Sequence, residues 1–399
     1  MDARPRLIAA LAAHFSDLDL AEEAFDAALE ACLRQDDPPD NIAGWLMSVA
    51  RRKGIDMIRR RSAEARAGDA AALIEEGEAD MGDVIALPDP IPDERLRLLF
   101  ICCHPAITLE TRAALALKVI CGLPVGTIAR LFLIGEPAMF QRITRAKAKV
   151  RGAGIAFDLP QRRDWPERLD AVLLTLELAY TAAYQDAAGE IDSELSAEIG
   201  RLAAMLADLL PDEPEALGLA ALITIARSRE EARVGRSGAM IPLSKQDTAL
   251  WNRQAIEQAR RWLDEAAAKQ QTGPYQIMAA IQLTHARRAF DGKTDWPAIV
   301  TLYDALMMVR PGPMVQVNRA LAMAEAHSIE AGLAELEAVD PKRLVNARPY
   351  HVARAKLQER AGNHEAAIEA LDTAQTLGPP QAERLFLTQW RETLMAAQS

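Results

Sequence analysis

Side chains that can read DNA follow one another closely along residues 140–149. They are Phe140, Gln141, Arg142, Arg145, Lys147 and Lys149. An arginine can donate two hydrogen bonds to a guanine edge, a glutamine can bond adenine, and a lysine mostly meets phosphate. Met139, Ile143 and Ala146 recur among them at helical spacing, so they should face a core and leave the basic groups outside. The pattern predicts a DNA-reading helix, and an ordinary hairpin with a solvated basic face is the alternative.

A second basic cluster lies within residues 51–66. Its members are Arg51, Arg52, Lys53, Arg59, Arg60 and Arg61. Cationic groups at this density neutralise phosphates, which makes DNA binding steeply dependent on salt. Just before the cluster, Asp40 and Asn41 offer hydrogen-bonding groups and Trp45 offers a ring, and such groups hold a displaced base. Two simpler interpretations stay open: Trp45 as a core anchor and the basic residues as a solvated face.

Acidic segments flank the basic ones. Residues 17–40 are acidic, and residues 67–92 hold seven Asp and Glu, no Lys or Arg, and three prolines at their end. The second stretch is typical of a poorly ordered acidic linker. The net charge of −11 argues against a protein that coats nucleic acid without specificity. The basic residues are instead concentrated in two short segments, which favours localised DNA contacts.

The elements that must position these side chains are predicted to be helices. Ala, Leu, Glu and Arg dominate, and aromatic residues make up only 5% of the chain, so an all-α fold is expected. In residues 122–151, Pro124 can start a first helix, a break follows at 133–137, and Pro137 can open a second helix. This is the layout of a helix-turn-helix.

From about residue 164 onward, amphipathic segments rich in Ala and Leu alternate with Pro and Gly. Helix pairs of this kind predict a solenoid, and residues 354–379 match the tetratricopeptide spacing best. The matching residues there are Ala355, Ala367, Leu371, Ala374 and Pro379. A weaker copy contains Ala320, Gly332, Leu336 and Val339, and a third is expected between Ala280 and Pro311. An irregular helical bundle is the alternative.

Other chemistry finds little support in the sequence. Cys102, Cys103 and His104 are adjacent, whereas structural zinc sites use separated pairs, so we interpret them as residues of a helix interface and expect no metal or cofactor. The chain has no Gly-rich phosphate loop, G-x-S-x-G or H-E-x-x-H, so an enzyme is not expected. No signal peptide is recognisable, and the longest apolar run, residues 217–226, is about half a membrane span. We expect a cytoplasmic protein with no membrane contact.

The basic segments resemble those of a known family. Residues 122–151, GLPVGTIARLFLIGEPAMFQRITRAKAKVR, resemble region 4 of extracytoplasmic-function sigma factors, the part that reads the −35 promoter element. Residues 41–61, NIAGWLMSVARRKGIDMIRRR, resemble the region 2 segment that melts and recognises the −10 element. The segment LAEEAFDAAL at 20–29 resembles the region 2 helix that docks on polymerase. The stretches FICCHPAI at 100–107 and PMVQVNRALAMA at 313–324 resemble the subgroup that carries a C-terminal tetratricopeptide domain.

The resemblance implies a sigma factor that binds core RNA polymerase and promoter DNA and makes no bonds itself. It implies region 2 at 1–66, the acidic linker at 67–92, region 4 at 93–157, and a helical tetratricopeptide-like domain at 165–399. The residues implied to meet polymerase are Glu22, Glu23, Asp26 and Glu30. The N-terminus is about ten residues shorter than in family members, and Leu133 and Gly135 replace the usual turn Gly and N-cap Ser. Pro137 and Phe140 also depart from the pattern, which puts promoter preference in doubt.

The C-terminal domain is expected to regulate the sigma part, through intramolecular docking or through a protein partner. A peptide groove is expected on the first helix of a repeat, at Gln316, Asn318 and Arg319. Two rival functions remain. One is a tetratricopeptide-like adaptor whose sigma-like half is degenerate, and the other is a helix-turn-helix repressor, which leaves residues 41–61 unexplained.

Overall fold

The computed structural model describes residues 3–15, 17–35, 41–68, 93–152, 161–185, 193–340 and 344–397. The expected all-α fold is confirmed. Within these ranges the backbone is helical or irregular, and its β structure is limited to an isolated antiparallel bridge between Val234 and Met240. Backbone contacts divide the chain into two compact units, residues 1–175 and 176–399. None of the described helices combines the length and apolar character that crossing a bilayer requires.

The first unit holds the segments that resemble sigma regions 2 and 4. Its helices are α1 (Ala3–Phe15), α2 (Leu18–Leu33), α3 (Ile42–Gly68), α4 (Glu94–Cys102), α5 (Leu109–Val119), α6 (Val125–Leu131), α7 (Glu136–Gly152) and the beginning of α8 (Pro166–Gln185). Residues 69–92, which make up most of the predicted acidic linker, lie outside the described part of the chain.

Helices α1, α2 and α3 pack closely enough to require a small residue. A Cβ added to Gly54, in the middle of α3, would lie 2.3 Å from Cζ of Phe15 on α1. Glycine normally weakens a helix interior by roughly 1 kcal/mol, so its presence here is explained by the packing. Asp17 begins α2, because its Oδ1 accepts from the backbone N–H groups of Asp19 (2.9 Å) and Leu20 (3.1 Å).

Two arginines join the remaining helices of the first unit to the start of α8. Arg112 donates to the carbonyl oxygens of Ile107 and Glu167 at 2.6 and 3.0 Å. Arg168 donates to the carbonyl of Phe100 at 2.8 Å. The ring of Phe100, fully buried, lies 5.1 Å from that of Trp165. These contacts hold the end of α4 and the start of α5 against α8.

The second unit is built from helical pairs. After α8 it contains α9 (Ser193–Leu209), α10 (Pro214–Arg227), α11 (Arg253–Ala268), α12 (Pro274–Ala286), α13 (Arg288–Asp291), α14 (Trp296–Val309), α15 (Pro313–Ala326), α16 (Ile329–Glu337), α17 (Arg348–Arg360), α18 (His364–Thr376) and α19 (Gln381–Ala396).

Helices α10 and α12 cross at very short range. A Cβ on Gly218 would lie 2.7 Å from the backbone nitrogen of Gln276. The carboxylate of Glu215, one turn earlier on α10, accepts from the backbone N–H groups of Tyr275 (2.9 Å) and Gln276 (3.2 Å). Glu215 therefore caps the N-terminus of α12 from a neighbouring helix, where a negative charge is favourable.

The last helices form two hairpins at the places the sequence spacing indicates. Ala320 of α15, Leu336 of α16 and Val339, just after α16, share one buried cluster. In α17 and α18, Ala355, Ala367, Leu371 and Ala374 share another, which Leu387 and Leu394 of α19 complete. The buried residues agree with the predicted hairpin cores. That these hairpins form a tetratricopeptide array stays a prediction.

Candidate nucleic-acid interface

A short turn, residues 132–135, joins helices α6 and α7. The turn closes through backbone bonds from Phe132 to Ile128 (3.2 Å) and from Ile134 to Ala129 (3.0 Å). It needs one left-handed residue, and Leu133 supplies it with φ of 54°. Glycine is the residue that adopts this conformation without strain. The turn at 132–135 begins one residue before the predicted break at 133–137 and ends two residues before it.

Helix α7 separates its inner and outer faces sharply. Met139, Ile143, Ala146 and Val150 are buried. The exposed side chains of the predicted reader are Phe140, Gln141, Arg145 and Lys149. Phe140 is 62% exposed, which is unusual for a large aromatic ring. The outer face thus offers an amide, two cationic groups and an aromatic ring to a ligand.

Arg142 differs from its neighbours on α7 because it is partly covered. Its guanidinium lies 5.8 Å from the ring centroid of Phe132 in the turn. A cation over an aromatic face is held in place by the ring quadrupole. Arg142 is consequently more restrained than Arg145, whose Nε donates back to the carbonyl of Gln141 at 3.3 Å.

Lys147 does not point freely outward as predicted. Its side chain is only 18% exposed, and its ammonium forms ion pairs with Asp19, at 3.0 Å, and with Glu22. Both carboxylates belong to α2, at the other end of the first unit's sequence. Helical spacing within 122–151 gives no information about a partner so distant in the chain. Lys147 is therefore a link between the segment resembling region 4 and the helix resembling the polymerase-binding one.

Helix α3 carries the second predicted basic cluster. Its cationic side chains Arg51, Arg52, Lys53, Arg59 and Arg60 are all exposed. Within the described chain none of these five forms an ion pair. The side chain of Arg61 lies outside the described residues. Unpaired cations at this density give α3 a strongly positive surface that suits phosphate oxygens.

Two apolar residues on α3 add to this surface and were not identified from the sequence. Ile55 is 39% exposed and Ile58 is 42% exposed, next to the arginines. Charged residues on both sides conceal them in the sequence pattern. Large aliphatic side chains beside cations offer contact with bases as well as with phosphates.

The residues predicted to capture a base are only partly described. Asp40 lies outside the described residues. The Oδ1 of Asn41 accepts from the backbone N–H of Gly44 at 3.0 Å, so this side chain begins α3 as its cap. Trp45 is partly buried, which leaves its ring between the two predicted roles. The cap role of Asn41 leaves its Nδ2 as the group that can donate to a ligand.

The four predicted polymerase-contacting carboxylates on α2 have different surroundings. Glu22 is largely covered and pairs with Lys147. Asp26 lies 3.8 Å from Arg4, and Glu30 pairs with Arg34 at 2.5 Å. Glu23 is exposed. Exposed ion pairs such as these contribute little to stability and exchange partners easily, so Glu23, Asp26 and Glu30 remain accessible to another protein.

Cys102, Cys103 and His104 do not converge on a common point in the described chain, where no cluster of three or more metal-ligating side chains occurs. Both thiols are buried, and burial raises the pKa of each well above its usual value. Nδ1 of His104 accepts from the backbone N–H of Ala106 at 3.1 Å. These residues end α4 and shape the turn that follows it.

One of the three residues of the predicted peptide groove on α15 is already held in ion pairs with neighbouring helices. Arg319 donates to Asp304 of α14 and to Glu335 of α16, each at 2.7 Å. The bond to Asp304 is the main cause of a raised pKa of this guanidinium. Arg319 thus ties three helices together, whereas Asn318 is exposed and Gln316 is partly exposed.

The fold defines an all-α protein over the described residues, and its first unit contains two helices, α6 and α7, joined by a short turn. A protein of Rhizobium meliloti (strain 1021), itself described as uncharacterized, is 39% identical over 406 aligned residues, which cover 99% of this chain and 95% of the relative. The chain belongs to the same family as that protein. Residues 168–267 match a "Family of unknown function (DUF6596)". No solved structure matches the chain.

Proposed function

We propose that this protein is a sigma factor of the extracytoplasmic-function type, which binds core RNA polymerase and directs promoter-specific transcription initiation. The observation that carries the proposal is the outer face of α7, where Gln141, Arg145 and Lys149 stand exposed on the second helix of a helix-turn-helix. A helix placed in the major groove needs such a face, because base edges offer acceptors to guanidinium and amide groups. Phosphate contacts by the lysine would fix its register.

The surface of α3 supports the second DNA contact that a sigma factor makes. Its exposed cations suit the phosphates around a −10 element. Ile55 and Ile58, exposed among those cations, suit unstacked bases, which present apolar faces once the duplex opens. A helix-turn-helix repressor has no need of this second surface, so α3 favours the sigma factor over that alternative.

The ion pair between α2 and α7 gives the proposal a regulatory side. Glu22 forms an ion pair with Lys147 in the free chain. A residue predicted to bind polymerase and a residue predicted to bind DNA therefore neutralise each other's charge. Both are mostly shielded from water, and such pairs are less screened by salt than exposed ones. Binding of polymerase to α2 must replace Lys147 and thereby free it for DNA. The second unit, with its helical hairpins, is proposed to regulate this part or to bind a protein partner.

The test combines tagged full-length protein with purified core RNA polymerase and DNA fragments of the genome that encodes the chain. The decisive variant replaces Arg59, Arg60 and Arg61 by alanine. We expect association with polymerase to survive, while specific initiation falls at least about tenfold because phosphate and base contacts are lost. Arg261→Ala, on the exposed face of α11, removes one arginine outside the proposed DNA-binding surfaces and should leave both measurements unchanged.

Absence of any association between the unmodified protein and core polymerase overturns the proposal. It would favour the alternative function, a tetratricopeptide-like adaptor with a degenerate sigma-like half. DNA binding of the same strength with and without polymerase would favour the repressor instead.

A further inference from the structure

The second unit buries an arginine without a counter-charge. Arg229 follows the end of α10 and is 3% exposed. Its Nη2 donates to Oε1 of Gln282 at 2.6 Å. Among the described residues, its Nε and Nη1 have no hydrogen-bond acceptor. A buried guanidinium normally has paired donors, because an unpaired buried charge costs several kcal/mol.

Two further arginines stand in the same electrostatic neighbourhood. Burial lowers the pKa of Arg229, and the charges of Arg233 and Arg288 lower it further. Arg233, 8% exposed, donates to the carbonyl of Tyr184 at 2.6 Å and lies 3.4 Å from that ring's centroid. Arg288 donates to the carbonyls of Leu243, Ser244 and Gln246. Carbonyl oxygens and ring faces satisfy donors, but they leave the positive charges uncancelled.

The nearby acidic side chain on the same turn is already engaged. Glu230 accepts from Oγ of Ser196 and lies 3.6 Å from Nε of Arg227. Within the described chain, Arg229, Arg233 and Arg288 form no ion pair with any carboxylate. Two of these three unpaired arginines, Arg229 and Arg233, are buried, whereas Arg288 is partly exposed.

The other unsatisfied groups nearby are mostly donors. The hydroxyl of Tyr180 and the Nε1–H of Trp251 are buried and have no acceptor among the described residues. The ring of Trp251 lies 5.8 Å from the guanidinium of Arg229 and 5.0 Å from that of Arg288. The ring centroid of Tyr180 lies 5.8 Å from that of Tyr184, the ring over which the guanidinium of Arg233 lies. One acceptor, Oε1 of Gln246, is buried without a donor.

We propose that Arg229, Tyr180 and Trp251 form a binding site for a small oxyanion, a phosphate or carboxylate group, inside the second unit. Such a group supplies both a negative charge and several acceptor oxygens, which are what these donors lack. Charge-assisted bonds from a guanidinium to an oxyanion are about twice as strong as neutral ones. All three residues of the site, and Arg233 beside them, lie within 168–267, the stretch that matches the family of unknown function. This proposal is independent of the proposed binding to polymerase and DNA.

The experiment measures binding of inorganic phosphate, sulfate and acetate to the full-length protein by titration calorimetry and thermal unfolding. Potassium chloride at equal ionic strength is the reference. We expect at least one of the three anions to bind saturably and to raise the Tm above that in chloride. Which anion binds best distinguishes a phosphate site from a carboxylate site. No saturable binding of any of the three overturns the proposal.

Three variants locate the site. Arg229→Met keeps the size of the side chain and should weaken binding at least about 100-fold, since the main charge is lost. Tyr180→Phe and Trp251→Phe each remove one donor and should weaken it up to about tenfold. Arg261→Met, on the exposed face of α11, removes the same charge and should bind like the unmodified protein.

The phenylalanine variants also decide the matter if Arg229→Met does not fold. Tyr180→Phe removes only a buried hydroxyl that is unsatisfied in the free protein, so it should not lower the Tm in chloride strongly. Trp251→Phe also makes a ring in a buried cluster smaller, so it should lower the Tm, and its anion affinity is measured well below that Tm. Unchanged anion affinity in both phenylalanine variants would place the binding elsewhere and overturn the proposal.

Discussion

The ammonium of Lys147 on α7 lies 3.0 Å from Oδ1 of Asp19 on α2. The same ammonium contacts the carboxylate of Glu22 one turn further along. One cation thus joins two acidic residues across the first unit, and all three side chains are covered by at least about two thirds. The two segments that resemble separate sigma regions are connected here by a charged contact, in addition to the apolar packing of the unit.

This contact should contribute measurably to stability. Replacing Lys147 by Met removes the cation that Asp19 and Glu22 share, and we expect the free energy of unfolding to fall by about 1–2 kcal/mol. Urea denaturation of the full-length protein measures the change. Arg145→Met, an exposed position on the same helix, is the control and should change stability by less than about 0.5 kcal/mol.

A double-mutant cycle separates the ion pair from other effects of Lys147→Met. Combined with Glu22→Gln, the two substitutions should couple by about 0.5–2 kcal/mol, since each removes the same contact. Additive effects of the two substitutions would mean that the two charges do not interact in solution.

The turn between α6 and α7 makes a second prediction. Leu133 adopts φ of 54° and is 52% exposed, so its side chain gains little from packing while its backbone is strained by about 1 kcal/mol. Leu133→Gly removes that strain but makes the unfolded chain more flexible. We expect a change between zero and about 1 kcal/mol of stabilisation, measured by thermal unfolding.

The same substitution at a helical position should have the opposite sign. Leu29 is 37% exposed on α2, and Leu29→Gly should destabilise by about 1 kcal/mol because glycine is a poor helix former. Equal losses at positions 29 and 133 would contradict the left-handed conformation of Leu133.

Local spacing was enough to predict the faces of α7 but not its partners. Met139, Ile143 and Ala146 are inside because the helical period places them on one side, and that period is written in adjacent residues. The partner Glu22 is 125 residues away from Lys147, and no local pattern encodes such a pairing. The cap role of Asn41 is a local contact with Gly44, and it was not predicted for another reason: its acceptor oxygen suits a base and a backbone N–H equally well.

The close approach of α15 and α16 provides a third prediction. A Cβ on Gly332 would lie 2.5 Å from Cβ of Ala324 and 2.8 Å from the carbonyl oxygen of Ala320. Helix propensity alone favours alanine over glycine by about 1 kcal/mol. The clash acts against it, and overpacking of this kind costs about 1–3 kcal/mol. We therefore expect Gly332→Ala to destabilise the protein in urea denaturation.

A glycine in open space gives the matched comparison. At Gly135 the nearest atom to an added Cβ is Cδ of Pro137, at 3.8 Å, so Gly135→Ala should change stability by less than about 0.5 kcal/mol. A gain in stability from Gly332→Ala would show that the two helices can separate without loss.

The burial of two arginines in the second unit could not be predicted from the sequence. Arg229 and Arg233 occur in the irregular segment after α10, where neither helical nor strand periodicity applies. An arginine in a polar loop is normally exposed, so no local pattern predicts that these two are buried. Their burial depends on Tyr184 and Gln282, which come from helices far apart in the chain.

The last prediction concerns His285 of α12, next to this cluster. Burial, followed by the charges of Arg229, Arg288 and Lys356, lowers the pKa of His285 to about 4. In the unfolded chain this histidine has an ordinary pKa near 6.5. Between about pH 6.5 and 4 the unfolded chain therefore binds a proton at this position that the folded chain does not bind. The contribution of His285 to the free energy of unfolding should therefore be fully present above about pH 6.5. That free energy should fall by on the order of 3 kcal/mol as the pH drops towards 4.

Removing the imidazole isolates its contribution to that pH dependence. His285→Gln should flatten the slope of the unfolding free energy between about pH 6.5 and 4, measured by urea denaturation at a series of pH values. His327→Gln, at an exposed histidine after α15, should keep the slope of the unmodified protein. An unchanged slope in His285→Gln would show that this histidine takes up a proton equally well in the folded chain. Saturation with an oxyanion at Arg229 should also reduce the slope, because a bound negative charge makes the imidazolium less costly.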